Sequence, residues 1–309
     1  MRILVTGAAG RIGQHVVQEL AAHGHTVRAL DRKPLSAEVR KVSEPYYADL
    51  TDALAMLNAV NGCDTIAHIG AIPSPNLPAD EMLRLNVIGT QNVLEAAAAH
   101  DISRVVLTSS VGALGFSFPT HPCLPEYLPV DAAHPRRPQD IYGLSKLMNE
   151  ESASARTRLS GMTTIVLRPP AVWDLERARQ RGWLRHTAER QGEDRDSSLW
   201  GYIDVHDQAM AFRLALESDL TGHHIFYTMA DDLGVNATAR ELTERHFPAL
   251  LPHLDRLTGE TFYDLTPARD QLGFTAERTW RQVLEREDQI RGPDALMASE
   301  TSGKRAKFV

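Results

Sequence analysis

Short apolar runs alternate with longer amphipathic stretches through the first half of the chain. The runs are Ile3 to Thr6, Thr26 to Leu30, Thr65 to His68, Val105 to Thr108 and Thr163 to Leu167, rich in β-branched side chains. Between them, Gln14 to Ala22, Ala53 to Val60, Met82 to Ala99 and Ser145 to Leu159 have the composition and apolar spacing of helices with one buried face. Such alternation predicts βαβ units, hence a parallel sheet with helices on both faces. The expected fold class is α/β: a Rossmann-like doubly wound parallel sheet, followed by a smaller C-terminal substrate-binding lobe.

The rhythm changes after Arg168, where Pro169-Pro170 interrupts the chain and an arginine-rich stretch runs from Arg177 through Arg195. Residues 1–170 are expected to form the dinucleotide-binding domain and 171–291 mainly the second lobe, with a strand over 223–230 rejoining the sheet. Helices are expected over Ala239 to His246, Pro248 to Leu257 and Thr279 to Glu287. From 292 to 309 apolar periodicity is lost, which predicts a mobile tail.

At 309 residues the chain can bury a substantial core as one cooperative unit. A formal net charge of −7 argues against nucleic acid or anionic lipid as a partner and leaves a small molecule. No apolar run approaches a membrane span, and the strand at Ile3 leaves no room for a signal peptide; a cytoplasmic protein is expected. Cys63 and Cys123 match no metal-ligand spacing and read as free thiols. His121, His134, His223 and His224 form no metal motif, so no metal is expected.

The first strand runs directly into Gly7-Ala8-Ala9-Gly10-Arg11-Ile12-Gly13, which opens a helix. That context suits a phosphate-binding turn: glycines let the backbone approach a pyrophosphate, and the helix N-terminus supplies amide donors. A glycine-rich turn alone is also found in ordinary tight loops, so two further residues matter. Asp31 ends the second strand, where a carboxylate accepts hydrogen bonds from an adenine-ribose diol, favouring NAD. Arg11, Arg32 and Lys33 stand nearby and suit a 2′-phosphate, so NADP stays open. Asp49-Leu50 stands where the third strand should end and is a second candidate for the adenine end; helix capping explains Asp49 or Asp52 equally well.

Ile141-Tyr142-Gly143-Leu144-Ser145-Lys146 carries the chemistry. Residues four apart on a helix share a face, so Tyr142 and Lys146 converge on one point. An ammonium beside a phenol stabilises the phenolate and prepares it for acid/base work. Without the upstream turn, the pair reads better as two surface residues at helical spacing. A partner hydroxyl is expected at Ser109-Ser110, after Thr108 at the C-terminal end of a strand, where a doubly wound sheet binds its ligand. One of these serines is expected to cap the following turn.

With these motifs the sequence resembles the extended short-chain dehydrogenase/reductase family, also called the NAD-dependent epimerase/dehydratase family. The similarity runs through TGAAGRIG (6–13), HIGA (68–71), LNVIGTQNVLEAA (85–97), TSSVGALG (108–115), YGLSKLMNE (142–150) and GYIDVHDQAMA (201–211). The resemblance implies Ser110, Tyr142 and Lys146 as the catalytic set, with Lys146 also on the nicotinamide ribose. It implies that His68, Gly70, Ala71, Thr108, Pro169 and Val172 border the cofactor and that Asn86 helps hold the site. Ile72, Val111, Gly112 and Trp173 then fall on the substrate side with Ser110 and Tyr142. The family also implies a homodimer through the helices around 82–99 and 145–159.

Departures narrow the chemistry. The acidic pair that follows the catalytic hydroxyl in dehydratases is Val111-Gly112 here. Residues that hold the diphosphate in nucleotide-sugar members correspond to Ala171 and Trp200, which places nucleotide-sugar binding in doubt. The six arginines at 177, 179, 181, 185, 190 and 195 suit either an anionic substrate or a solvated surface with the interspersed Glu and Asp. SSVGALGF, a proline-rich loop and YGLSK are together similar to uronate dehydrogenases. The expected activity is hydride transfer at a hydroxyl or carbonyl carbon of a sugar, sugar acid or related small molecule. A nucleotide-sugar epimerase is the alternative with the same residues, and a non-catalytic dinucleotide-binding regulator the alternative of another class.

Overall fold

The computed structural model describes residues 1–291 except 74, 122, 195 and 197, so the expected tail (292–309) and Arg195 lie outside the described residues. The strands are β1 (Arg2–Thr6), β2 (Thr26–Asp31), β3 (Glu44–Tyr47), β4 (Thr65–His68), β5 (Arg104–Thr108), β6 (Thr163–Arg168), β7 (Ala171–Trp173), β8 (Tyr202–Asp204) and β9 (His223–Tyr227). Seven form one parallel sheet in the order β3-β2-β1-β4-β5-β6-β9, while β7 and β8 pair separately. The order reverses between β1 and β4, and a crevice opens at the C-terminal ends of strands at such a reversal. Helices α1 (Arg11–Ala22), α2 (Ala37–Val42), α3 (Ala53–Val60), α4 (Ala79–Leu83), α5 (Gly89–Ala99) and α6 (Ile141–Ser160) belong to the first part of the chain. The remainder carries α7 (Leu175–Gln180), α8 (Trp183–Glu189), α9 (Val205–Glu217), α10 (Ala239–His246), α11 (Thr266–Leu272) and α12 (Trp280–Arg291).

Both faces of the sheet are buried, which is why its strands read as unbroken apolar runs. In β1, Ile3 and Val5 point into the layer with Val16, Val17 and Leu20 of α1 and Phe212 of α9. Leu4 points the other way, among Met56 and Val60 of α3 and Leu94 of α5. This places α1 directly behind β1, with its N-terminus at the strand ends.

Two helices differ from their sequence pattern. The stretch from Met82 to Ala99 contains a wider π turn, Arg84–Ile88, between α4 and α5. There the Asn86 carbonyl accepts hydrogen bonds from Asn149 Nδ2 at 3.1 Å and Thr90 Oγ1 at 2.6 Å, and side chains inserted into the ladder widen a helix. The expected helix from Pro248 is a tighter 3-10 segment, Pro248–Arg256, with Pro252 inside it, which lacks the amide an α-helix needs. Among the described residues no helix is long and apolar enough to cross a membrane.

Candidate active site

A cavity of about 670 Å³ opens at the C-terminal ends of β1, β2, β4, β5 and β6. Gly7, Gly10, Arg11 and Ile12 form one wall of it. Gly7 has φ +71°, and a Cβ there would meet the Gly70 Cα at 2.6 Å; at Gly13 a Cβ would overlap the Gly7 carbonyl. The turn is therefore a cradle that only glycine permits, tightly packed against α1 and the strand opposite. Gly13 itself lies beneath the turn and does not line the cavity.

Asp31 faces the cavity with a fixed carboxylate, whose oxygens accept the amides of Ala9 at 3.0 Å and Lys33 at 2.9 Å. Arg32, Lys33, Asp49 and Leu50 complete this end. Asp52 caps α3 by accepting the Ala55 amide, leaving Asp49 to the cavity, where Arg32 lies 3.5 Å from it. Asp49 is held below the usual carboxylate range: burial opposes this, but hydrogen bonds from Thr51 and the Arg32 charge outweigh it.

His68 was expected against the cofactor but is buried under the floor and does not line the cavity. Its Nδ1 lies 2.8 Å from Thr6 Oγ1 and its Nε2 2.9 Å from Thr90 Oγ1. Thr6 Oγ1 already accepts the amides of Ile69 and Gly70, so its one proton goes to His68 Nδ1. His68 then carries its proton on Nε2 and donates to Thr90, whose own proton goes to the Asn86 carbonyl. Burial, then the Lys146 charge, pulls the imidazole down to about 3, so it stays neutral. Asn86 also lies off the cavity. Its amide accepts from the Ile72 amide at 2.8 Å and donates to the Ile72 carbonyl and to Ser145 Oγ, pinning the loop that brings Gly70, Ala71, Ile72 and Pro73 to the cavity wall.

The other end holds Thr108, Ser109, Ser110, Val111, Tyr142, Lys146, Pro169 and Val172. Asp140 caps α6 by accepting the Gly143 amide, so Tyr142 and Lys146 sit on its first turns. Tyr142 is buried, with Ser110 beside it on the cavity wall. Burial pushes that phenol above its ordinary range, and Ser110 offsets part of the rise. Lys146 Nζ lies 5.7 Å from the Tyr142 ring centroid and donates to the Thr108 carbonyl at 3.0 Å. Burial pulls Lys146 down to about 8. Turn capping falls on Ser110, whose Oγ accepts the Gly112 amide at 3.0 Å, while Ser109 turns away to Glu150.

Two expected substrate residues do not line the cavity. Gly112 packs behind Ser110 and Tyr142, where a Cβ would stand 3.3 Å from each. Trp173 stacks on Tyr202, ring centroids 4.5 Å apart. The cavity also includes Pro170 and Ala171, within the segment expected beside the nicotinamide, Ser117 and Phe118, within the segment 116–129 expected as a wall, and Leu85, Asp196 and Ser198, which were not expected. Phe118 adopts φ +50° with its ring edge-on to Tyr142, centroids 6.3 Å apart. Trp200 is buried against Phe247 and Phe262. Among the described residues no cluster of His, Cys, Asp and Glu could hold a metal ion.

The model of the NAD-dependent epimerase/dehydratase family matches residues 3–227, and the chain belongs to that family. A uronate dehydrogenase of Pseudomonas syringae pv. tomato is 34% identical over 167 residues, 54% of this chain and 58% of that protein. The match thus spans less than two thirds of that relative's length. A 2-alkyl-3-oxoalkanoate reductase of Stenotrophomonas maltophilia is 31% identical over 91% of this chain and 83% of its own. Among solved structures, a short-chain dehydrogenase/reductase superfamily protein from Agrobacterium tumefaciens with bound NAD aligns at TM-score 0.69 and 27% identity, covering 97% of this chain and 99% of that one.

Proposed function

We propose that the protein is an NAD-dependent oxidoreductase that transfers hydride to or from a hydroxyl- or carbonyl-bearing carbon of a sugar, sugar acid or related small molecule. Ser110, Tyr142 and Lys146 are its catalytic set. One observation carries this reading: a single cavity is lined by the Gly7–Ile12 turn and Asp31 and also by Ser110, Tyr142 and Lys146. The glycine cradle, the amides at the start of α1 and the fixed Asp31 carboxylate fit a dinucleotide. Asp31 favours NAD over NADP, because a 2′-phosphate would meet a carboxylate.

When bound, the nicotinamide supplies the hydride acceptor or donor. Ser110 donates a hydrogen bond to the substrate oxygen and orients it. Tyr142 takes the hydroxyl proton at its phenol oxygen during oxidation and returns it during reduction. Lys146, in its charged form, holds the ribose hydroxyls and favours the phenolate, opposing the burial that pushes Tyr142 up. Residues of the 171–291 lobe, including Asp196 and Ser198, close the substrate side.

The uronate dehydrogenase likeness supports a polyhydroxylated substrate. The apolar side chains of Ile72, Pro73, Leu85 and Phe118 on the cavity wall support a second reading, reduction of an oxo acid, as the reductase relative is named for. Ala171 and the buried Trp200 supply no cation for a nucleotide diphosphate, so net oxidation or reduction is favoured over epimerisation. Exposed Ile88, Leu144 and Met148, on or beside α5 and α6, support a homodimer through these helices. The deciding experiment offers free sugars, sugar acids, nucleotide sugars and 3-oxo acids with NAD(H) and NADP(H), following absorbance of reduced nicotinamide. Stoichiometric change with product supports the reading; product without any absorbance change would establish epimerisation instead.

A further inference from the structure

Behind the cavity, one turn beyond Lys146 on α6, the carboxylate of Glu150 is buried with four donors on it. Oε1 accepts from Ser109 Oγ at 2.6 Å and Arg168 Nε at 2.8 Å; Oε2 accepts from Arg168 Nη2 at 2.7 Å and Arg136 Nη1 at 3.2 Å. Arg168, fully buried at the end of β6, also donates to the Tyr227 hydroxyl at 3.1 Å, which donates to the Asp131 carbonyl at 3.0 Å. Stability alone does not call for such a cluster, since well-packed apolar residues of the same volume serve as well or better. Its position suggests another role. Ser109 lies between Thr108, whose carbonyl receives Lys146, and Ser110, which lines the cavity with Tyr142. The backbone of this segment is held from β6 as well, Ser109 N on the Leu167 carbonyl at 2.7 Å and Val111 N on the Pro169 carbonyl at 3.1 Å.

We propose that Glu150 is a positioning residue: through Ser109 it fixes the Thr108 to Ser110 segment against Lys146 and Tyr142, and its charge keeps the Lys146 ammonium in place. The proposal rests on the catalytic reading of Ser110, Tyr142 and Lys146 given above. Charged and titratable groups face Lys146 from several elements. Tyr142 and Glu150 share its helix, neutral His68 comes from β4, and Arg168 stands at the end of β6 behind Glu150. β5 contributes only the Thr108 carbonyl. Burial draws Lys146 towards neutrality, and Glu150 is the charge that opposes it. With Glu150→Gln the volume stays, but Arg168 and Arg136 lose their counter-charge, and Lys146 loses the charge that opposes its burial.

Two measurements test this. The chain contains five lysines, so the Lys146 side-chain resonance can be followed by NMR of 15N-lysine-labelled protein and assigned by its absence in Lys146→Arg. The wild-type midpoint is expected at about 8, and Glu150→Gln should lower it by about one pH unit or more. The alkaline limb of the kcat profile should move in the same direction. An unmoved midpoint in folded Glu150→Gln overturns the electrostatic role. If that variant does not fold, the serine decides: Ser109→Ala should lower kcat about tenfold with KM for NAD unchanged, and Ser109→Thr should restore it. Wild-type kcat in Ser109→Ala overturns the positioning role. Full turnover by Tyr142→Phe would separately remove the catalytic reading, even with the Lys146 midpoint shifted as expected.

Discussion

Replacing Lys146 by methionine should remove catalysis and, at the same time, change how stability depends on pH. Lys146 is buried and titrates at about 8 instead of 10.5 because burial disfavours its charge. At one pH unit per ~1.4 kcal/mol, the native state carries about 3 kcal/mol of unfavourable charge burial below pH 8. The sign follows from proton counting. Between about 8 and 10.5 the unfolded chain holds a proton that the native protein has released, so stability rises with pH across that window; below it both states are charged and the full penalty applies. Methionine keeps the length but has no charge to bury, though it leaves the Thr108 carbonyl without its 3.0 Å donor, a loss of about 1–3 kcal/mol at every pH. The difference in unfolding free energy, wild type minus Lys146→Met, should therefore rise by about 3 kcal/mol between pH 7 and pH 10.5. Urea unfolding of both proteins at half-unit steps measures it, with titrations that are not coupled to Lys146 cancelling in the difference. A difference that stays flat across this window would refute the claim that a buried ammonium is held at this site.

Other consequences are narrower. Asp31→Ala should weaken NAD binding about tenfold or more while leaving NADP less affected: the Ala9 and Lys33 amides lose their acceptor whichever cofactor binds, but the diol loses one only in NAD; titration with the reduced cofactors checks this, and equal losses for both would count against the assignment of Asp31. Gly13→Ala should open the phosphate turn, since its Cβ would overlap the Gly7 carbonyl; the dinucleotide should then bind more than about tenfold weaker with a strain of about 1–3 kcal/mol in stability, and wild-type affinity would contradict the cradle. Arg168→Met should destabilise by about 3–5 kcal/mol by leaving Glu150 buried without its main partner. An unfolding midpoint close to wild type would show that the carboxylate finds other compensation.

Much of this site was legible in sequence because periodic elements carry it. β1 runs straight into the glycine turn, and Tyr142 and Lys146 keep helical spacing, so local pattern and spatial neighbourhood coincide. Where side chains decide the geometry, the pattern was silent or misleading. His68 ends β4 as expected, yet Thr6 and Thr90 take both its nitrogens and keep it beneath the floor. Asn86 sits in a π turn made by hydrogen bonds from Asn149 and Thr90, which apolar spacing does not encode. The resemblance puts Trp173 on the substrate side, but β7 pairs with β8 and its ring stacks on Tyr202. Phe118, Asp196 and Ser198 reach the cavity from loops without period. The segment from Phe116 to Pro129 reads as a wall of the substrate cleft, and Phe118 stands on it, but its left-handed backbone is encoded by no periodic pattern.

On the proposed reading, the phenol of Tyr142 exchanges a proton with substrate while hydride moves at the nicotinamide. The most direct measurement of this is single-turnover production of reduced nicotinamide by wild type and Tyr142→Phe, with whichever compound the substrate panel identifies. NAD affinity should be unchanged and the hydride-transfer rate should fall by about two to four orders of magnitude. A Tyr142→Phe rate equal to that of wild type would show that the phenol moves no proton in this step.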